Sequence, residues 1–247
     1  FLPEAVRRAA ATAACAVLPG KQRAKAIDLL SGGLSCMELT ASLRRVMSSR
    51  DIRSLGLEPD GLGLTHQYLP PAAFESFSNP GGDPFNAVSQ AECFLYMGNT
   101  LLRDADANGM AHSLEIRVPF LGRWIADLVG AMPGGVKAPK GSSPKHLLRQ
   151  AAGAILPYDL FKRPKRGFTL PIGEWMFGPL SGECEAAIDA VASCSVIDSK
   201  AVRRLWDSYR SQPGAIHWSR PLALVVLGNY LRQQPQIRVP TLQTHQP

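Results

Sequence analysis

Apolar positions along this chain recur mostly at the three- and four-residue spacing of helices and rarely at the alternation of strands. The Ala-rich run from Pro3 to Val17, with Glu4, Arg7 and Arg8 early, predicts a first helix stopped by Pro19-Gly20. Gln22 to Leu30 predicts a second, with Ala24, Ile27 and Leu30 on one face, broken by Gly32-Gly33. Met37 to Met47 carries Leu39, Leu43, Val46 and Met47 at helical spacing. Gly56 to Pro84 is rich in Gly, Pro, Ser and Asn and reads as a loop with one short turn near Ala72 to Phe77. The strongest stripe is Val88, Ala91, Leu95, Gly98, Leu101 and Leu102, which predicts a helix from Val88 to Asp104. A turn over Asp104 to Ser113 follows, broken at Asn108-Gly109, and then an extended stretch from Leu114 to Leu121 interrupted by Pro119.

Trp124 to Met132 predicts a short helix ended by Pro133-Gly134-Gly135. Ser143 reads as a cap and Pro144 as the first position of a helix that runs through Lys145 to Leu156. Phe161 to Thr169 is a basic loop containing Gly, and Pro171 to Met176 a helical turn. Three helices close the pattern: Gly182 to Ala192, Ser199 to Arg210 capped by Asp198, and Ser219 to Arg232. The tail from Gln233 has three prolines and no period. No internal repeat is present, and the fold class read from this pattern is mainly α.

Composition narrows the function classes. The chain has 247 residues, 27 Lys plus Arg against 20 Asp plus Glu, and 45% hydrophobic residues, which excludes an intrinsically disordered polymer. The length suits one large domain or two small ones. Five cysteines without a C-x-x-C pair indicate neither a disulfide framework nor a zinc module, and they fit a reducing, cytoplasmic location. The longest apolar runs, such as Leu222 to Leu227, are far shorter than the ~20 residues of a membrane helix. Net charge +7, spread over 19 Arg and 8 Lys, lacks the clustering or module of a nucleic-acid binder. Phe1 opens directly on a helix start with no leader, so a signal peptide is not expected and the chain reads as cut from something longer. His112, His146 and His217 lack ligand spacing, the cysteines read as small buried hydrophobes, and Trp124, Trp175, Trp206 and Trp218 read as core.

Four polar blocks stand out. Ser31-Gly32-Gly33-Leu34-Ser35 is a Gly-rich candidate for cradling an anion, but it lacks the Asp of an S-G-G-x-D-S pyrophosphate loop and follows a helical segment, so it reads as a turn between helices. In Leu101 to Leu121, Asp104, Asp106, Glu115 and Arg117 are polar among apolar neighbours. Glu115 and Arg117, two apart on an extended stretch, project the same way, either as a structural ion pair or toward a polar ligand. Lys145 stands in what the pattern makes a first helical turn, where a cation is unfavourable by roughly 0.3–1 kcal/mol unless an anion is near. Arg163-Pro164-Lys165-Arg166-Gly167 sets three cations beside a Gly, a phosphate clamp or a plain basic surface loop.

Taken in order, the blocks Asp104 to Ala107, Met110 to Leu121, Lys145-His146-Leu147-Leu148-Arg149, Arg163 to Phe168 and Pro171-Ile172-Gly173-Glu174-Trp175 resemble the C-terminal part of the synthetase domain of the glutamine-hydrolysing asparagine synthetase family. His217-Trp218-Ser219-Arg220 resembles the family's closing segment. The likeness runs from about Phe1 to Arg232, weakly before Val88, leaving 233–247 as a tail.

The resemblance implies the helical portion of an α/β ATP pyrophosphatase-like domain. It also implies adenylation of the aspartate side-chain carboxylate by ATP with Mg2+, followed by transfer of ammonia released from glutamine, giving asparagine, AMP and pyrophosphate. By position, Lys165 is similar to the family's catalytic loop lysine and Glu115 to its acidic residue near the acyl intermediate. Arg117, Lys145, Arg149, Arg166 and Gly167 match substrate- or nucleotide-binding positions, and no metal-binding residue is assigned.

Gly122 and Asn108-Gly109 depart from the family pattern, which has an Asp and a Met-Ser pair there. These residues contain no S-G-G-x-D-S loop and no N-terminal Cys nucleophile. The expectations are therefore small-molecule substrates, a partner glutaminase region outside these residues and no nucleic acid or membrane, with a homodimer left open. The isolated piece is expected to be inactive and to expose apolar surface. Activation of another carboxylate, as in polysaccharide or peptide modification, and a non-catalytic binding remnant are the alternatives.

Overall fold

The computed structural model describes residues 6, 9, 13, 20–31, 35–65, 68–72, 82–153, 155–163, 167, 169–212 and 214–234. Among them there is no strand, and the mainly α reading holds. Most of the predicted first helix and the Gly32-Gly33 break lie outside the described residues, although Val6, Ala9 and Ala13 are helical. The turn near Ala72 to Phe77 falls largely outside them too, and so does the tail from residue 235. No described helix is long and apolar enough to cross a membrane.

The chain divides into two compact units: Phe1–Leu34, Arg45–Pro71 and Thr169–Pro247 form one, and Ser35–Arg44 with Ala72–Phe168 the other. The first unit contains helices α1 (Gly20–Ser31) and α3 (Ser49–Ser54), then α9 (Ile172–Phe177), α10 (Ser181–Ala192), α11 (Ser199–Ser211) and α12 (Ser219–Gln233). Its core joins Met176, Ala187, Ile188, Val191, Val202, Trp206, Tyr209, Leu224 and Val225 to Met47 and Leu55. Burial of each large apolar side chain contributes roughly 1.5–3 kcal/mol, and this cluster is where the chain collects most of it. The α10–α12 crossing is close because Gly228 has no side chain: a Cβ there would lie 2.0 Å from the Ala187 carbonyl oxygen.

Polar caps fix the ends. Asp198 accepts from the Ala201 amide at 2.9 Å, as its place before α11 predicts, and its own amide donates to the Leu55 carbonyl at 2.8 Å. Ser48 and Asp51 form a capping box on α3. The nearly buried Asp28 carboxylate accepts from the Arg45 guanidinium at 2.7 Å and the Ser49 amide at 2.8 Å.

The second unit contains α2 (Cys36–Arg44), α4 (Pro84–Glu92), α5 (Arg103–Ala111), α6 (Arg123–Ala131), the helical turn α7 (Gly134–Lys137) and α8 (His146–Ala152). Helix α2 ends at Arg44, three residues short of the predicted Met47. Ser35 and Glu38 cap it reciprocally, so Ser35 of the Gly-rich block is a helix cap. The predicted helix from Val88 is longer at both ends. It starts at Pro84 behind the cap Asp83 and runs through a π-helical stretch, Cys93–Leu102, into α5. The expected break at Asn108-Gly109 does not occur. Asn108 Nδ2 donates to the Asp104 carbonyl at 2.7 Å within the helix, and Gly109 is buried against the chain that folds back over it.

Helix α8 also departs from expectation. Ser143 makes no cap, and the residue before the helix is Lys145 itself, in the left-handed region at φ 60° and ψ 38°. Trp206 is buried as expected, but Trp124 is 73% exposed. The cysteines divide as well: Cys184 is buried and Cys93 is exposed.

Candidate functional site

The end of α5 organises the most informative block. Its last turns close in a Schellman arrangement: the Leu114 amide donates to the Gly109 carbonyl at 2.9 Å and the Ser113 amide to that of Met110 at 3.0 Å. Ser113 takes the left-handed conformation, φ 56°, that the motif requires and that glycine usually supplies. The chain thereby reverses and lays Leu114 and Ile116 over Gly109, where a Cβ would come within 2.8 Å of the Leu114 carbonyl oxygen and 3.1 Å of Ile116 Cδ1. From there it leaves in extended form to Val118 and enters a 3-10 turn at Pro119–Leu121.

Alternation along this extended piece sorts the side chains. Ile116 and Val118 line a cleft of about 370 Å³ with Leu102, Arg103, Ala105 and Asp106. Glu115 and Arg117 alternate with them in sequence and pair with each other, Arg117 Nε donating to Glu115 Oε1 at 2.9 Å. The pair is open to solvent, Arg117 83% and Glu115 71% exposed, and is absent from the lining of the cleft. The expected common direction of the two side chains is thus present.

The remaining sequence-derived residues are placed individually. Lys145 is exposed, with its strained backbone directly before α8. Arg149 is half-buried and its guanidinium lies over the Phe161 ring, 5.0 Å from the centroid. Gly167 is exposed and has open space around its α-carbon. Lys165 and Arg166 lie outside the described residues. The five described positions fall within the second unit. Among the described ones, the contact made is that of Glu115 with Arg117. No group of three or more His, Cys, Asp or Glu suited to a metal ion occurs among the described residues.

Two polar clusters escaped sequence reasoning. Asp83 ties two helix starts: Oδ1 accepts from the amides of Phe85 at 3.0 Å and Asn86 at 3.3 Å, and Oδ2 from that of Gly134 at 2.6 Å. These amide bonds, Gly134's first, hold its carboxyl below the ordinary range. The signal was present as Asp before Pro84, a cap followed by proline at the first helical position. Arg44 makes a bidentate pair with Glu92 and lies 4.1 Å from the Tyr96 ring centroid. Partners 48 residues apart carry no local signal in the sequence.

Comparison with known proteins identifies the family. The Asparagine synthase family profile matches residues 10–237. The "putative asparagine synthetase (glutamine-hydrolyzing)" of Mycobacterium bovis is 30% identical over 213 residues, 85% of this chain and 31% of that protein. The protein of the same name from Mycobacterium tuberculosis gives the same values. Asparagine synthetase (glutamine-hydrolyzing) 1 of Bacillus subtilis is 37% identical over 91 residues, 37% of this chain and 14% of the relative. The chain thus spans about a third of the length of the mycobacterial relatives. No solved structure matches it. With the profile covering nearly the whole chain, the chain belongs to the asparagine synthase family.

Proposed function

We propose that this chain carries part of the carboxylate-activating and amide-forming site of a glutamine-dependent asparagine synthase, residues 1–232 being the C-terminal part of the synthetase domain. The observation that carries this reading is the placement of Glu115 and Arg117. They are held 2.9 Å apart on an extended segment that a Schellman turn and a buried glycine pin to α5. An ion pair this exposed contributes only about 0–1 kcal/mol, so stability gives little reason for such tight placement. A carboxylate beside a planar guanidinium suits a polar substrate bearing an acid and an amine.

In this reading an aspartate side-chain oxygen attacks the α-phosphorus of ATP, the bond to the bridging oxygen breaks, and pyrophosphate leaves. Ammonia then attacks the acyl carbon, AMP leaves, and Glu115 takes the proton the nitrogen gives up. Lys165 and Arg166 neutralise the phosphates beside Gly167, while Lys145 and Arg149 hold the nucleotide and Arg117 orients Glu115. Bound magnesium would lower the charge on the triphosphate. The described residues offer it no protein cage, which suits an ion carried on substrate phosphates and one or two carboxylates.

The test is pyrophosphate release and asparagine formation, with aspartate and ammonia, by these residues joined to the nucleotide loop and glutaminase region expected outside them. Lys165→Ala is expected to lower both by about a hundredfold or more. Glu115→Gln is expected to lower amide formation by about a hundredfold and pyrophosphate exchange far less. Full rates in both variants would overturn these roles. Turnover with a different carboxylic acid in place of aspartate would assign the site to that acid, and none with any acid would leave a binding remnant.

A further inference from the structure

The cations of this chain are spread along it, but their excess over acids is not. Residues 134–168 carry eight Lys or Arg and one acid, Asp159, while the other residues carry nineteen of each sign. The whole net charge of +7 therefore falls in 35 consecutive residues of the second unit. Elsewhere opposite charges offset one another, often by direct pairing, as Arg45 with Asp28, Arg203 with Asp189 and Arg232 with Glu183. Within the stretch, Arg163 takes the lone acid at 3.3 Å, and Lys140, Lys145 and Arg149 meet no carboxylate among the described residues. Crowded like charges repel and subtract from stability, so a surplus this local points to an anion that offsets it.

The fold gathers the described part of this stretch. The helical turn α7 packs beside α8. A 3-10 turn, Tyr158–Lys162, lies against α8 through Phe161, whose ring centroid is 5.0 Å from the Arg149 guanidinium. Between α7 and α8 the Ser142 amide closes a four-residue turn on the Pro139 carbonyl at 2.9 Å, with Gly141 at φ 78°, a conformation that favours glycine. Lys140 stands exposed at the tip of that turn, and Lys162 is exposed at the end of the 3-10 turn. The proposed reaction gives nucleotide contacts to Lys145, Arg149, Lys165 and Arg166, and none to Lys140 or Lys162. A surface of one sign beside a site raises the local concentration of an oppositely charged ligand without touching it.

We propose that the basic stretch 134–168 is an electrostatic capture surface for polyphosphate anions, in which Lys140 and Lys162 draw the anion toward the residues that hold it. The identity of the anion, ATP, rests on the proposed reaction; its polyphosphate charge does not. Exposed charges act through water, and salt shortens their reach from ~30 Å at ~0.01 M to ~3 Å at ~1 M. Capture by Lys140 and Lys162 is therefore strong at low ionic strength and absent at high, whereas a contact made directly to phosphate keeps part of its effect.

Calorimetric titration with ATP and with inorganic tripolyphosphate at ~0.01 M and ~1 M salt tests it, on these residues joined to the nucleotide loop and glutaminase region expected outside them. The double variant Lys140→Glu, Lys162→Glu is expected to bind both anions about tenfold more weakly at low salt. Its ATP affinity is expected to match the parent at high salt, a recovery that a misfolded variant would not show. Pyrophosphate release at saturating ATP is expected to keep its rate, since neither lysine touches the nucleotide. The control is Lys200→Glu with Arg204→Glu, two exposed cations of α11 whose reversal changes the net charge equally and is expected to change affinity less than twofold. Equal weakening by the two double variants, no weakening by the first, or a gap that persists at high salt would each overturn the capture surface. Binding of tripolyphosphate with the expected salt dependence, but no pyrophosphate release from ATP, would uphold the surface and overturn the proposed reaction instead.

Discussion

Gly228 has no room for a β-carbon, because one would lie 2.0 Å from the oxygen and 2.5 Å from the carbon of the Ala187 carbonyl. A backbone group cannot swing aside as a side-chain tip can, so Gly228→Ala must push α12 off α10. The expected cost is about 3 kcal/mol or more, read as a fall in the denaturant midpoint at constant slope. Lys145 is the opposite case, a side chain on a backbone that would suit glycine. Lys145→Gly should relieve a left-handed penalty of roughly 1 kcal/mol, allowing for the extra chain entropy of glycine. If Lys145 binds nucleotide phosphate, the same change weakens ATP binding, so stability and affinity move in opposite directions. A variant both more stable and unchanged in ATP binding would return Lys145 to the surface charges. At this scale the sequence is legible where chemistry is local, as in the common direction of Glu115 and Arg117. It misleads at Gly109, where glycine serves close approach inside a helix, and at Trp124, which only the full set of neighbours shows to be uncovered.

Element ends depend on side chains that hold more than one amide, and Asp83 is such a side chain. Its carboxylate caps α4 and α7 together, and those amide bonds hold its proton affinity below that of the unfolded chain. A depressed carboxyl contributes its stability in full above the ordinary carboxylate range and loses it as pH falls through the unfolded value to the folded one. Asp83→Asn should therefore lower stability at neutral pH and narrow its gap to the parent chain as acid is added. A gap that stays constant from neutral to acid pH would sink this account. The adjoining Gly134 would carry its Cβ 2.5 Å from Phe85 Cβ, so the clamp also requires glycine at that position. Helices in the C-terminal third are legible because each carries its own signals: Asp198 before α11, an apolar row on each, and prolines beyond. The long helix from Pro84 exceeds its sequence signal at both ends. Its start depends on recognising Asp83 as a cap, and its continuation past Asp104 on Asn108, whose side chain bonds back into the helix.

Across the chain, the large buried side chains are unequally shared between the units. Trp206, Met176, Ile188, Val191, Val202 and Leu55 all belong to the first, whereas the buried positions of the second are mainly small or slender: Met37, Thr40, Ala41, Ser42, Ala91, Gly109 and Gly134. The second unit also carries the exposed Met110, Leu114, Ile116, Phe120, Trp124 and Ile155. The five described candidate site residues belong to this thinly packed unit. Their order in the sequence is enough to recognise the family, because motif spacing survives without knowledge of packing. Their mutual placement is not legible, because it depends on packing between segments far apart in the sequence. Local opening free energy follows buried apolar contact, so amide exchange should separate the units. The slowest amides are expected in Ser181–Ala192, Ser199–Ser211 and Ser219–Gln233, and those of Pro84–Ala131 should exchange through smaller openings, with denaturant-insensitive exchange along Leu114–Leu121. Hydrogen–deuterium exchange by mass spectrometry at several denaturant concentrations reads this directly. Equal protection of the two sets of peptides would mean that the second unit draws stability from somewhere other than its own buried side chains. Added ATP and aspartate should then slow exchange at Leu114–Leu121 before it changes anything in α10 to α12, since ligand stabilises the segment it touches and the first unit is already near its limit.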